Sequence, residues 1–453
     1  MDKQTSNGRV NLCHGPLVPE LLLFSAPILI SGIIQLCFNI ADMVVVGRYA
    51  SVAALGAVGG ATQLVYLLFT LSTGFSIGAN VVVAKCFGSG DDTGMGRAAH
   101  TAITLALICG LTLASLVFAF APRLLALTKV PADVLDASGI YLRIVCLGMP
   151  FSVLFNFAAS ILRAIGDTRS PLYYLAFAGV VNVVLNLVFV IGFHLDVAGV
   201  AIATAITNLI SCTLTMRKLM VTRDSCRISL RRLGIDWAMC REIVRIGFPA
   251  GVQGSLYTFA NLIIQTGVNS FGSLAMAGNT AASSIEGVIF IGLGAFDQTT
   301  TTSVGQNAGA RKFGRIVKSF LYCTAYMALY VLVVGGFFFV FAKESVSFFN
   351  ADPTAVSFGV ARLRLMSLGY ILDGIMINIT SVLRGLGHAL FPAAVTLAGA
   401  FFFRLFWVFY VFPHHRTIFF LFLCMPISWI GISLVNGTKL RHVLAALRKS
   451  HMR

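Results

Sequence analysis

The chain has 453 residues, of which 57% are apolar and only 11% charged. Soluble domains carry about 25% charged residues, so this composition excludes a string of soluble globules. The formal net charge of +16 would suit a nucleic-acid partner, but the placement of the cations along the chain speaks against one.

A membrane-spanning helix needs ~20 apolar residues. Twelve such stretches follow one another, at 20–46, 52–84, 97–121, 136–162, 171–194, 197–220, 243–269, 275–304, 316–342, 356–383, 391–412 and 417–437. The first segment is polar and lacks a cleavable apolar core, so the first span is expected to act as its own insertion signal. Five Lys and Arg fall in loops on one side (Arg48, Arg123, Lys129, Lys343, Arg416), and Arg143, Arg362, Arg364 and Arg404 fall within spans. All the others lie on the opposite side, in its loops or in the last few residues of the spans nearest those loops, and the positive-inside rule makes that side cytoplasmic. The expectation is an all-α, multi-pass protein of the plasma (inner) membrane with both termini in the cytoplasm. Its parts are a cytoplasmic segment 1–19, a six-helix lobe 20–220, a basic linker 221–242, a second six-helix lobe 243–437 and a basic tail 438–453. The linker, with Arg231 and Arg232, reads as a strip lying near an anionic leaflet. Ten scattered Cys form no CxxC pair and the eight His form no HExxH, so neither a zinc site nor a disulfide framework is expected.

The chain repeats itself. Ser160-Ile-Leu-Arg-Ala-Ile-Gly166 followed by Pro171 recurs as Ser381-Val-Leu-Arg-Gly-Leu-Gly387 followed by Pro392. Pro27, Gly32, Asn39 and Gly56 likewise return as Pro249, Gly254, Asn261 and Gly278. Each copy holds six spans, and an even number makes the copies parallel, related by a pseudo-two-fold axis along the membrane normal. Two such lobes suit a transporter working by alternating access. No nucleophile motif or repeated pore loop argues for an enzyme or a channel. Gly-rich stretches such as Gly287 to Gly294 and Gly335-Gly336 read as close helix packing.

Several motifs carry a family resemblance: Asn39-Ile-Ala-Asp42-Met-Val-Val-Val-Gly47-Arg48, Leu162-Arg163-Ala-Ile-Gly166-Asp167-Thr168, Asn182-Val-Val-Leu-Asn186, Gly199-Val-Ala-Ile-Ala-Thr204 and Val304-Gly305-Gln306-Asn307-Ala308-Gly309-Ala310. In order and spacing the chain resembles the multidrug and toxic compound extrusion (MATE) family over nearly its whole length. The resemblance implies a cation-coupled antiporter that expels amphipathic, often cationic, organic compounds. It implies no cofactor beyond a coupling ion, proton or sodium, and no partners beyond small organic substrates and membrane lipids, in a monomer. Many relatives carry a second acid where Asn186 stands and Gln where Lys85 stands. A two-carboxylate relay in the first lobe is therefore in doubt, and Lys85 reads as an ammonium snorkelling to the interface.

The buried polar residues point the same way on their own. An ionisable residue inside a span costs about 2.5–3.5 kcal/mol on insertion scales and defaults to function. Asp42, Asn182, Asn186 and Thr204 all fall in the outer half of the first lobe, and Asn182 and Asn186 share one helix face. Hard cations take oxygen ligands, so Asp42, Asn186 and Thr204 form a candidate sodium or proton site. In the second lobe Glu286 and Asp373, with Tyr257 and Phe290, are the candidate substrate-binding residues, as carboxylates and cation–π faces. Tyr370 and Phe259 could add aromatic faces. Arg404 could instead pair with one of those acids, Asp373 foremost. Arg163 and Arg384 read as braces at inner helix ends, and the role of Asp297 is open. The alternative is a flippase for lipid-linked saccharides, which would need a markedly cationic cleft.

Overall fold

The structure is a computed structural model in which the backbone is described for residues 9–49, 52–127 and 135–451. The expected loop cation Lys129 and the start of the amino-terminal segment lie outside the described residues. Twelve helices carry the fold: α1 (Leu17–Tyr49), α2 (Val52–Ser89), α3 (Asp92–Leu127), α4 (Leu135–Ala164), α5 (Arg169–Leu187), α6 (Asp196–Val221), α7 (Trp237–Asn269), α8 (Ser273–Gly309), α9 (Phe313–Tyr330), α10 (Pro353–Gly385), α11 (Leu390–Thr396) and α12 (Ile418–His451). A π-helical turn, Val331–Gly335, and a short helix extend α9 to Val340, and further π-helical turns carry α11 on to Val411. No strand occurs among the described residues.

Eleven of the described helical stretches are long and apolar enough to cross a membrane. The stretch left out is α7, the expected seventh span. It is long enough, at 33 residues, but Gln253, Tyr257, Asn261 and Gln265 dilute its apolar surface at helical spacing. Tyr257, Asn261 and Gln265 reappear in the lining of the second unit's cavity.

The chain divides into two compact units. The first comprises Ala26–Gly251 and the residues up to Asn11; the second comprises Leu12–Ser25 and the chain from Val252 onward. The boundaries fall inside α1 and α7, next to Pro27 and Pro249. A proline inside a helix removes one i→i−4 hydrogen bond, a loss that membrane helices tolerate.

In the first unit α4 is central and packs on α2, α3 and α6. Gly74 and Gly78 of α2 lie so close to the first half of α7 that a Cβ at either would overlap its backbone. At the end of α4, Gly166 takes φ +91°, where a side chain would be strained. Its N–H bonds to the Arg163 carbonyl at 3.0 Å and the Asp167 N–H to the Leu162 carbonyl at 2.9 Å, closing the helix end. Gly387 repeats this at the end of α10, with φ +92°, its N–H bonding to the Arg384 carbonyl and the His388 N–H to the Leu383 carbonyl. The repeated RxxG motif is thus a repeated helix stop.

The basic link between α6 and α7 is narrower than the sequence suggests, since α6 runs to Val221 and α7 starts at Trp237. It is docked on the first unit. Asp224 pairs with Arg9 at 2.5 Å, Asp236 pairs with Arg97 at 3.1 Å, and the Ser229 N–H reaches the His100 ring at 3.1 Å. Cys226 is fully buried there, and burial pushes its thiol up to about 12. Lys85 pairs with Glu242 at 3.1 Å, so its ammonium is matched rather than merely snorkelling.

In the second unit α10 packs on α8 and α12. Asp352 caps α10 by accepting from the N–H groups of Thr354 (2.8 Å) and Ala355 (3.0 Å), with Pro353 in the first turn. Among the Gly-rich stretches, Gly292 abuts Tyr330 and Gly335 abuts Ser367, as packing requires, whereas Gly287, Gly294 and Gly336 face open space. The loop before α1 is gripped by the α8–α9 corner. Leu12 donates to Gln306 at 3.2 Å and accepts from Asn307 at 3.1 Å, Lys312 reaches the Cys13 carbonyl at 2.8 Å, and Arg315 reaches the Gly15 carbonyl at 2.9 Å.

Candidate functional sites

In the first unit, three elements meet around Asp42. Asn186 of α5 donates through its amide nitrogen to the Asp42 carboxylate at 2.5 Å and to the Asn182 side-chain oxygen at 3.2 Å. Asn182 and Asn186 are buried, and Asp42 is partly so. One turn beyond Asp42, Val45 joins Val190, from the π-helical stretch after α5, and Val200 of α6 in a small buried cluster. This apolar contact ties α1, α5 and α6 together. Thr204 donates to the Val200 carbonyl of its own helix at 2.9 Å and makes no hydrogen bond to Asp42. The structure thus joins Asp42, Asn182 and Asn186, with Thr204 one turn above the shared valine contact.

One atom of this cluster is unsatisfied. Asn186 Oδ1 is buried and has no hydrogen-bond partner among the described residues. Leaving such an oxygen unpaired costs about 1–3 kcal/mol. Together with the Asp42 carboxylate it supplies hard oxygen donors with a single negative charge, a set that fits a monovalent cation or a proton held on Asp42. No cluster of three or more His, Cys, Asp and Glu that could hold a metal occurs among the described residues.

The second unit holds a partly open cavity of about 220 Å³. Tyr257, Glu286, Phe290 and Asp373, the four expected substrate-side residues, all line it, as do Arg362 and Arg404. Their states differ. Glu286 is fully buried and already matched. Arg362 Nε donates to its Oε1 at 2.9 Å and Nη2 to Oε2 at 2.5 Å, a bidentate pair, while the Tyr370 hydroxyl adds a bond at 2.8 Å. Arg362 also donates to Asn279 and lies 4.7 Å over the Phe422 ring. Asp373 is buried too, yet among the described residues it has no hydrogen bond and no ion pair within 4 Å. Arg404, expected as its partner, forms no pair with it within 4 Å. It instead makes long bonds to Asn261 (3.4 Å) and Ser428 (3.3 Å) and sits 5.7 Å over the Tyr257 ring. Phe290 meets Tyr370 edge-on at 4.9 Å, whereas Phe259 is exposed and absent from the lining.

Asp297 acquires a structural role. It accepts from Ser381 and lies 3.4 Å from Arg384, which reaches Gln253 at 3.3 Å, and Gln253 in turn donates to Thr396 at 2.9 Å. This network braces α7, α8, α10 and α11. Arg362 is the site residue that sequence reasoning left unassigned. Its signal was periodicity: Asn279, Ser283 and Glu286 form one stripe on α8, and Arg362, Tyr370 and Asp373 form another on α10.

The MatE family model matches residues 27–188 and again 249–409, one match in each sequence repeat. A probable multidrug resistance protein of Bacillus subtilis, YpnP, is 26% identical over 377 residues, covering 83% of this chain and 84% of its own. The probable multidrug resistance protein NorM of Thermotoga maritima is 23% identical, covering 83% and 82%. Among solved structures, a MOP superfamily transporter from Pyrococcus furiosus, described as having a binding pocket of reverse polarity, superposes with TM-score 0.91 at 21% identity. It covers 98% of this chain and all of its own. An outward-facing multidrug resistance MATE transporter also reaches TM-score 0.91 at 21% identity, covering 98% and 99%. At that identity the structural likeness speaks to the fold.

Proposed function

The chain belongs to the MatE family and is a membrane transporter, and on that premise we propose that it exports amphipathic, often cationic, organic compounds in exchange for protons or sodium ions by alternating access. It does so as a monomer in the plasma (inner) membrane with both termini cytoplasmic. The relatives named for multidrug resistance support the substrate class. The observation that carries the coupling step is the Asp42–Asn186 contact with its unpartnered Asn186 Oδ1. Asp42 is the charged member, Asn182 orients the Asn186 amide, and Thr204 offers hydroxyl lone pairs from α6. A bound cation would be held by Asn186 Oδ1 and an Asp42 oxygen, and without it the Asp42–Asn186 bond holds the side chains.

The unpaired carboxylate of Asp373 supports attraction of cationic compounds into the second unit's cavity. A saccharide-lipid flippase is the weaker reading. Arg362 is matched by Glu286, and the other lining cation, Arg404, is offset in the same cavity by Asp373, which leaves no net positive charge there for a pyrophosphate.

The test uses everted vesicles loaded with a fluorescent cationic dye and energised by a sodium or a proton gradient imposed separately. Export driven by one gradient and lost in Asp42→Asn is the expected result. Export that persists with both gradients collapsed would remove the antiport reading.

A further inference from the structure

The cavity of the second unit has formal charges that cancel: Glu286 and Asp373 against Arg362 and Arg404. Glu286 and Arg362 satisfy each other. What remains is one free acceptor and a set of free donors. Among the described residues Asp373 has no hydrogen-bond partner and no ion pair within 4 Å, Arg404 acting on it only at longer range. Arg404 is 1% exposed and Trp429 2% exposed, both line the cavity, and Arg404 Nε and the Trp429 indole N–H have no hydrogen-bond partner. Buried donors of this kind are normally satisfied, and each one left unmade costs free energy. A purely cationic ligand would answer Asp373 and leave both donors stranded.

We propose that this cavity binds compact aromatic zwitterions, with the ligand's ammonium at Asp373, its carboxylate taking the Arg404 Nε–H and Trp429 N–H, and its ring among Tyr257, Phe290 and Phe422. The proposal rests on the exporter reading and narrows its substrate class. Arg404 matches a carboxylate because guanidinium is always charged and presents planar donors. The volume of about 220 Å³ lies below the ~300–1,000 Å³ of drug-sized pockets, which limits the ligand to a small molecule. The ring contacts come at low cost because the aromatic walls are already packed: Trp429 on Tyr370 at 5.5 Å and Phe290 on Tyr370 at 4.9 Å.

The test is titration calorimetry on the full-length purified protein with three matched probes. These are phenylalanine (zwitterion), its methyl ester (cation only) and N-acetylphenylalanine (anion only). Phenylalanine should bind at least about tenfold more tightly than either analogue, as one charge-assisted bond is enough for that ratio. Trp429→Phe keeps the ring and removes the donor, so it should weaken phenylalanine about tenfold and leave the ester unchanged. Asp373→Asn should weaken phenylalanine and the ester and spare the anion. Arg404→Gln should do the reverse, and if it fails to fold the Trp429→Phe result decides. An ester that binds as tightly as phenylalanine, or a Trp429→Phe that binds all three as before, overturns the proposal. Vesicle export of the cationic dye, run in parallel, is independent of this result. Its presence with the zwitterion preference absent sinks the cavity assignment alone, and its absence with the preference intact sinks only the exporter reading.

Discussion

Glu286→Gln tests whether the second unit stands on its buried ion pair. Glu286 is fully buried and accepts from Arg362 twice and from Tyr370 once. The amide cannot replace a carboxylate toward a guanidinium, so Arg362 keeps its charge and loses its counterion. Removing one member of a buried pair costs about 3–5 kcal/mol, because the remaining charge is uncompensated. For a unit of roughly 200 residues each kcal/mol shifts the midpoint by about 2–4 °C, so the melting temperature should fall by roughly 6–20 °C. Trp407 and Trp429 both lie in this unit, and their fluorescence in detergent micelles follows its unfolding. Glu286→Gln combined with Arg362→Met should recover most of the loss, since an apolar replacement of both partners is often neutral. A melting temperature for Glu286→Gln within about 2 °C of the parent would refute the reasoning and return Glu286 to the role of a free substrate carboxylate.

Asp42→Asn should preserve expression and folding, because the amide keeps the shape and most hydrogen bonding, while gradient-driven export in vesicles disappears; export at the parental rate would move coupling out of the first unit. Asn186→Asp places a second carboxylate against Asp42 and should retain export with a steeper pH dependence; a flat pH profile identical to the parent's would count against the cluster as the coupling site. The docked link responds to acid in a stated direction. Asp236 is held below the ordinary carboxylate range, first by the Met239 N–H, and also by the Ala238 N–H and Arg97. A lowered folded value means that its stabilisation is complete above the ordinary carboxylate value of ~4 and is lost as pH falls through the folded value. Hydrogen exchange at the Ala238 and Met239 N–H groups that Asp236 accepts, corrected for intrinsic rates, should therefore be level from pH 7 to 5 and rise only below ~4; a rise within the upper range would contradict this.

The helical architecture was legible because lipid leaves a chain few options: long apolar runs must close their backbone bonds as helices. The repeat was legible through fixed spacing, and its Arg-x-x-Gly element proved to be the αL stop that only glycine fills without strain. The contact between Asp42 and Asn186 could be anticipated from matched depth in adjacent spans. The pairing of Arg362 with Glu286 could not, because the repeat offers no counterpart at Tyr141 or Val65 and the partners are 76 residues apart on different helices. Depth along a helix can be counted from the sequence, but rotation about its axis is set by packing. That is why Arg404 turned to Tyr257 and Asn261 rather than to Asp373. Lys85 likewise found Glu242 only through the docking of the α7 amino-terminal half on α2.

The grip of the α8–α9 corner on the residues before α1 has a consequence in time. Leu12 leaves the ribosome long before Gln306 and Arg315, which hold it and are 294 and 303 residues further on. At ~5–20 residues per second that separation is roughly 15–60 s of synthesis. Through that interval the Leu12 N–H and carbonyl must be served by water or by the translocation machinery. The second unit closes only when its earliest piece, threaded ahead of Ala26–Gly251, is still within reach of the α8–α9 corner. Mutations at Gln306 or Arg315 should therefore show first as slow or incomplete assembly in the cell, before any loss of activity in the molecules that finish.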